Sequence, residues 1–221
     1  LYNYIWPGGV SHDLPPKFIQ RTTEFLDYFD KKYNEYDELL SGNPIFVERT
    51  ADVGVIPVDM GINHGITGPS LRGSGVSYDL RKTEPYSIYE KFEFDVPVGK
   101  GKMGTVGDCW DRYWVRMLEM KESIKIIRQA ISSIPSGDVH SAMPKRIRPK
   151  KGSVYSRYES ARGDVGFYII SDGKNIPLRV KMRSPAFCNL SALSEISEGW
   201  MISDVITILG SLDIVLGEID R

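Results

Sequence analysis

Four charged side chains crowd residues 72–82 of this 221-residue chain: Arg72, Asp79, Arg81 and Lys82, interleaved with Gly73, Gly75 and Tyr78. A guanidinium offers a planar fork of donors that matches a carboxylate, so Arg72 and Arg81 can each grip an acid such as Asp79. Gly73 and Gly75 permit positive φ or a close backbone approach. Two readings stay open here: a buried ion-pair cluster pinning a loop to its neighbours, or a ligand-facing site. The second chemical candidate is Asp213, which follows an apolar helical stretch and lies within an apolar segment. Burying an unpaired carboxylate costs several kcal/mol, so Asp213 either meets a cation or lines a polar spot in a cavity. An apolar pocket with a few fixed polar groups suits a lipophilic headgroup.

Other patterns carry less chemistry. Residues 99–104 read G-x-G-x-x-G after a strand-like run, but the next helix waits until after Asp108, so no helix N-terminus meets a pyrophosphate there. His12, His64 and His140 have no i, i+4 partner, and Cys109 and Cys188 form no C-x-x-C pair, so no metal site is expected. The basic run 144–152 is broken by proline and has no interleaved aromatics, and residues 140–152 read as a basic surface linker. A net charge of −1 argues against a dedicated polyanion binder, so no nucleic acid is expected as a partner. No apolar run approaches the ~20 residues of a spanning helix.

The elements that must position these residues are α+β and helix-rich. Phe18, Thr22, Phe25, Phe29, Tyr33, Tyr36 and Leu40 recur at helical spacing and predict one apolar face ending at Gly42. Asn43-Pro44 starts a short helix. Phe92, Phe94 and Val96 alternate with acids and predict a half-buried strand over 91–96. Asp108 caps a helix whose stripe runs from Trp110 through Met117 and Ile124 to Ile131 and reads as core. Residues 167–170 and 178–182 flank Ser171-Asp172-Gly173-Lys174 as a hairpin, with Arg179, Lys181 and Arg183 on its wet face. A last helix is expected over roughly 189–210. The chain opens on Leu1, in the apolar stretch 1–6, and reads as a single fragment, 1–221, of a longer protein.

The blocks Pro7-Gly8-Gly9-Val10, 72–82, 85–98, 163–173 and 210–221, in this order, resemble the C-terminal half of one subunit family of NADH:quinone oxidoreductase, respiratory complex I. It is the family related to the large subunit of nickel–iron hydrogenases. The resemblance spans essentially the whole chain. It implies a hydrogenase-large-subunit-like fold with a C-terminal β-hairpin and final helix, in a peripheral-arm subunit that helps form a quinone-reduction chamber. Ile208, Asp213 and Val215 would then lie near the headgroup path. Quinone would be the substrate, and the iron–sulfur clusters, FMN and NADH would sit in partner subunits, with no cofactor on this fragment. The expected partners are the other peripheral-arm subunits, including the iron–sulfur subunit beside the quinone site, and through them the membrane arm. The location implied is the cytoplasmic side of a bacterial inner membrane, or the matrix side in an organelle. The family's headgroup-binding His and Tyr belong to its N-terminal half and are not assigned to residues here. The chain departs from the family pattern at Trp200, where a His is frequent, and at Glu159-Ser160-Ala161, where Glu-Ala-Pro is usual. A structural assembly module of a hydrogenase-like or ferredoxin-linked complex is the alternative. A nucleic-acid-binding domain built on 145–151 ranks last.

Overall fold

Asp108 accepts the Asp111 N–H at 2.7 Å and opens the longest helix, Cys109–Ser132. In the computed structural model, which describes residues 3–220, this helix is the spine against which the helices Phe18–Tyr36, Pro44–Thr50, Pro69–Gly73 and Ile202–Leu212 pack. Leu1, Tyr2 and Arg221, part of the apolar stretch 1–6 and of the block 210–221, lie outside the described residues. In chain order the elements are β1 (Ile5–Trp6), β2 (Gly9–Val10), α1 (Phe18–Tyr36), α2 (Pro44–Thr50), α3 (Val58–Asn63), α4 (Pro69–Gly73), α5 (Leu80–Thr83) and α6, the spine. They continue with β3 (Gly152–Ser160), β4 (Gly163–Ser171), β5 (Arg179–Arg183), α7 (Pro185–Leu190), α8 (Leu193–Ile196), α9 (Ile202–Leu212) and α10 (Leu216–Ile219). The three later strands form an antiparallel sheet in the order β3-β4-β5. Val53, Ile56, Leu71, Cys109, Ile208 and Leu212 meet in the core between α4, α6 and α9. The α+β, helix-rich architecture is as expected.

Several local expectations are corrected. The predicted stripe of α1 forms only part of its buried face: Tyr33 is buried and Thr22 and Phe29 half-buried, joined by Leu26 from outside the stripe, while Phe25 is 57% exposed and Phe18 and Tyr36 are also exposed. Periodicity locates a face but not what covers it. Residues 91–96 alternate in burial, with Phe92 and Phe94 inward, yet they join no sheet. Their backbone is satisfied by α6 side chains instead, Gln129 Oε1 accepting from Glu93 N at 2.8 Å and Glu122 Oε2 from Asp95 N at 2.9 Å. The helix expected over 189–210 is three pieces, α7, α8 and α9, and Gly199 with φ 82° lies in the gap before α9. Strand β3 has no counterpart in the sequence expectation. Residues 141–151 before it are exposed and carry no helix or strand.

Arg72, at the end of α4, is 2% exposed and must be compensated where it lies. Its Nε donates to Glu119 Oε1 of α6 at 2.6 Å, and its Nη1 to Glu159 Oε1 of β3 at 2.8 Å and to the Tyr78 carbonyl at 2.9 Å. One guanidinium therefore joins α4, the spine and the sheet. The helices can come this close because Gly73 lacks a side chain. A Cβ there would sit 2.8 Å from Arg112 Cγ and 3.2 Å from Arg112 Cα, and one on Gly99 would strike the Gly73 carbonyl.

Arg72→Met leaves the buried Glu159 and the half-buried Glu119 short of a cation and is expected to cost about 3–5 kcal/mol. Adding Glu159→Gln should restore part of it, both read from urea denaturation midpoints; an unmoved midpoint in the single variant would mean the network holds nothing. Gly73→Ala should cost about 1–3 kcal/mol by overpacking. Gly210→Ala, inside α9 with open space around its Cβ, should instead stabilise by about 0.5–1 kcal/mol.

Candidate functional site

Helix α9 stops where Asp213 adopts the left-handed conformation, φ 56° and ψ 57°, a region Asp tolerates better than most side chains. The turn brings its carboxylate to Arg162, which sits in the two-residue turn between the paired residues Ser160 and Gly163. Ser160 Oγ closes that turn, donating to the Gly163 carbonyl at 2.9 Å and accepting the Arg162 N–H at 3.3 Å. Arg162 Nη2 donates to Asp213 Oδ1 and its Nε to the Asp213 carbonyl, both at 3.3 Å. On the other side Arg116 Nε stands 4.0 Å from Asp213 Oδ2. The Asp213 side chain is 39% exposed. It is a paired acid at a boundary rather than a sealed one.

Arg116 is held by its Nη1, which donates to the Arg112 carbonyl at 2.7 Å, while its buried Nε has no hydrogen-bond partner among the described residues. Burial pushes its guanidinium down to about 10, with Asp213 pulling the other way, so it stays charged at neutral pH. One turn earlier on α6, Arg112 is fully buried and donates to the Gly107 and Gly54 carbonyls at 2.6 and 2.9 Å and to Ser211 Oγ at 3.0 Å. That last bond ties the end of α9 to the spine.

Two recesses meet at Asp213. One, of about 640 Å³, is apolar, lined by Leu193, Ile206, Leu209, Ile214, Leu216 and Ile219. The other, of about 400 Å³, is charged, lined by Arg72, Arg81, Arg116, Glu119 and Glu159. Val215, half-buried, leads into α10, which is anchored by Glu218 accepting from Ser184 Oγ and Ala186 N at 3.0 Å. Ile208 is fully buried on the inner side of α9, against Gly54, so it backs the wall of the apolar groove instead of facing it.

The charge cluster of the sequence resolves into parts. Arg81 forks onto Asp79, Nη2 to Oδ2 at 2.6 Å, whereas Arg72 is 3.6 Å from Asp79 and spends its stronger bonds on Glu119 and Glu159. Lys82 stands apart from these ion pairs, its Nζ 4.1 Å above the Phe94 ring. Burial raises the Asp79 carboxyl, but the Arg81 and Arg72 guanidinium groups outweigh it and hold Asp79 below the usual range. At Glu159 burial wins over Arg72, and the carboxyl is raised. His64 sits in a larger recess of about 860 Å³ with Nδ1 and Nε2 each 3.0 Å from Ser191 Oγ and Glu195 Oε2, a hydrogen-bonded loop histidine. Cys109 is buried with its sulfur 3.1 Å from Arg112 Nη2, and burial raises its thiol. Among the described residues no group of three His, Cys, Asp or Glu is placed to hold a metal, and no helix is long and apolar enough to cross a membrane.

Sequence reasoning missed Arg112, Arg116, Glu119 and Arg162. The first three leave one signal, a charged i, i+4, i+7 row on a helix whose aromatic stripe marks it as core. Arg162 leaves none.

The chain matches the family described as respiratory-chain NADH dehydrogenase, 49 Kd subunit, over residues 1–152 and 141–221. It is 54% identical over 225 aligned positions to a NADH-quinone oxidoreductase subunit of Chlorobium luteolum, covering all of this chain and 57% of that one. The equivalent subunit of Chlorobium phaeovibrioides is likewise 54% identical, and that of Chlorobaculum tepidum 52%, each with 56% of its length covered. This chain thus spans little more than half the length of these relatives. With a match that runs from end to end, the chain belongs to the family of the 49 Kd subunit of respiratory-chain NADH dehydrogenase.

Proposed function

We propose that this chain serves in an NADH:quinone oxidoreductase as part of the wall of the chamber in which quinone is reduced. The observation that carries the reading is the junction at Asp213, where an apolar groove gives way to a charged recess. A quinone has the matching polarity: an apolar ring and tail, and two carbonyl oxygens that need donors. The groove residues Ile206, Leu209, Ile214 and Leu216 would shelter the apolar part. Asp213, held by Arg162, sets the polar end, and the unpaired Arg116 Nε–H is a donor suited to a carbonyl oxygen. Val215 fixes the turn beside Asp213, and Ile208 supports the wall from behind. Arg72, Asp79 and Arg81 keep the charged recess in shape.

In this reading electrons arrive from an iron–sulfur cluster of a neighbouring subunit, and NADH and FMN also sit in partner subunits. The residues of this chain contribute preorganised geometry and excluded water. The other peripheral-arm subunits are its partners, with the membrane arm reached through them, on the cytoplasmic or matrix side of the membrane.

Asp213→Asn and Arg162→Gln, each in the full-length chain within membranes, should lower NADH-to-quinone turnover about 10- to 100-fold. This is what the loss of a charge-assisted bond worth about 1.5–3 kcal/mol implies. NADH oxidation by an artificial acceptor at the flavin end should persist. Equal loss of both activities points to failed assembly and favours the scaffold reading.

A further inference from the structure

Residues 144–183 hold eleven Lys and Arg against three Asp and Glu, in a chain whose totals are 28 and 29. The rest of the molecule is therefore acidic, and the basic charge is gathered on the β3-β4-β5 sheet and the segment that leads into it. Only part of it is used internally. Arg157 pairs with Glu84 and Asp164, Arg162 with Asp213, and Lys174 with Asp172, while Arg183 donates to the Gly65 and Asp164 carbonyls. The five basic residues of 145–151, with Arg179 and Lys181 of β5, meet no acid among the described residues. Ser171 Oγ donates to the Pro149 carbonyl at 3.2 Å and holds the basic segment against the end of the sheet.

The sheet itself is anchored at one end only. Glu159, Asp164 and Arg183 fasten its inner half to α4, α5 and the loop before α4, but residues 152–156 and 179–182 are exposed throughout. Register places Val154, Ile169 and Val180 in one row across all three strands, and Tyr155, Tyr168 and Lys181 in a row on the opposite face. The sequence expectation of a wet, basic face therefore holds for Arg179 and Lys181 but not for the half-buried Arg183, and the apolar face is wet too. Val154 is 58% exposed, Val180 45% and Leu178, at the same end, 69%. A three-stranded sheet with an uncovered apolar row is a poor solvent-facing surface.

We propose that the outer half of this sheet, with the basic segment 145–151, is a docking surface for another polypeptide that presents an apolar patch rimmed by Asp and Glu. Charge complementarity selects an acidic partner. The open edges select a polypeptide over an anionic lipid surface. Among the described residues strands β3 and β5 each pair only with β4, so hydrocarbon against this face would leave their outer N–H and C=O groups without partners, whereas a polypeptide can meet them. The surface is remote in kind from the quinone reading and rests only on the chain acting within a larger complex.

Lysine footprinting tests it, comparing the full-length chain alone with the assembled, membrane-bound complex. Lys150, Lys151 and Lys181 should acetylate at least tenfold more slowly in the complex. Carbodiimide should join one or more of them to Asp or Glu peptides of a different polypeptide. Val180→Asp combined with Lys181→Glu should lower recovery of that polypeptide while leaving the thermal midpoint of the chain alone unchanged. Equal acetylation rates overturn the proposal. So do carbodiimide links confined to this chain, or protection that vanishes in detergent without any link, which would assign the surface to lipid. None of these readouts depends on quinone turnover.

Discussion

A buried guanidinium whose donors find no acceptor is so costly that the position of Arg72 dictates where three other elements lie. Glu119 comes from the middle of α6, Glu159 from β3 and the Tyr78 carbonyl from the loop before α5, and all three converge on one side chain. Glu159 extends the tie by accepting the Leu80 N–H at 3.2 Å, which fixes the start of α5 on the sheet. Because hydrogen bonds to charged groups are directional as well as strong, the network sets angles and not only contacts. The two-residue turn that carries Arg162 follows directly from the strand that carries Glu159, so the same anchor places the cation of Asp213.

Down the spine, Arg112, Arg116 and Glu119 extend that logic along one face of α6. Arg112 is satisfied by carbonyls, a hydroxyl and a thiol instead of a carboxylate, which joins the α9 end, the Gly107 turn and the Gly54 loop to one helix. Arg116, between the two, is left with a free donor, since Asp213 at 4.0 Å is too far for a hydrogen bond. A buried donor without a partner is uncommon in a settled core. In the proposed quinone chamber, its place at the charged end of an apolar groove would give it a chemical use.

What the sequence made legible was local. Asp108 as a cap, Asn43-Pro44 as a helix start, Ser171-Asp172-Gly173 as a hairpin turn and the fold class all follow from short-range chemistry, and the structure bears them out. Asp213 was marked by its apolar neighbours, because a carboxylate there requires an answer. The answer itself, Arg162, was not marked, since ion pairs between distant positions leave no spacing to read. The same limit explains 91–96, where alternation was right and the ladder was replaced by Gln129 and Glu122 reaching across from α6. It explains α1 as well, whose Phe25 faces outward although its period is helical.

Helix α9 shows why the groove is a wall and not a closed cavity. Its inner side, with Ile208 and Leu212, is fully buried, yet its outer side carries Ile202, Ile206 and Leu209, of which Ile202 is 87% and Ile206 73% exposed. Ser203, Asp204, Thr207 and Ser211 keep α9 from being apolar all round, but large exposed apolar side chains on a helix already anchored by its inner side mark a contact surface. The inner side supplies the stability that holds Asp213 at the helix end. The outer side supplies exposed apolar surface beside the charged recess, the arrangement that the proposed chamber wall would present to a quinone.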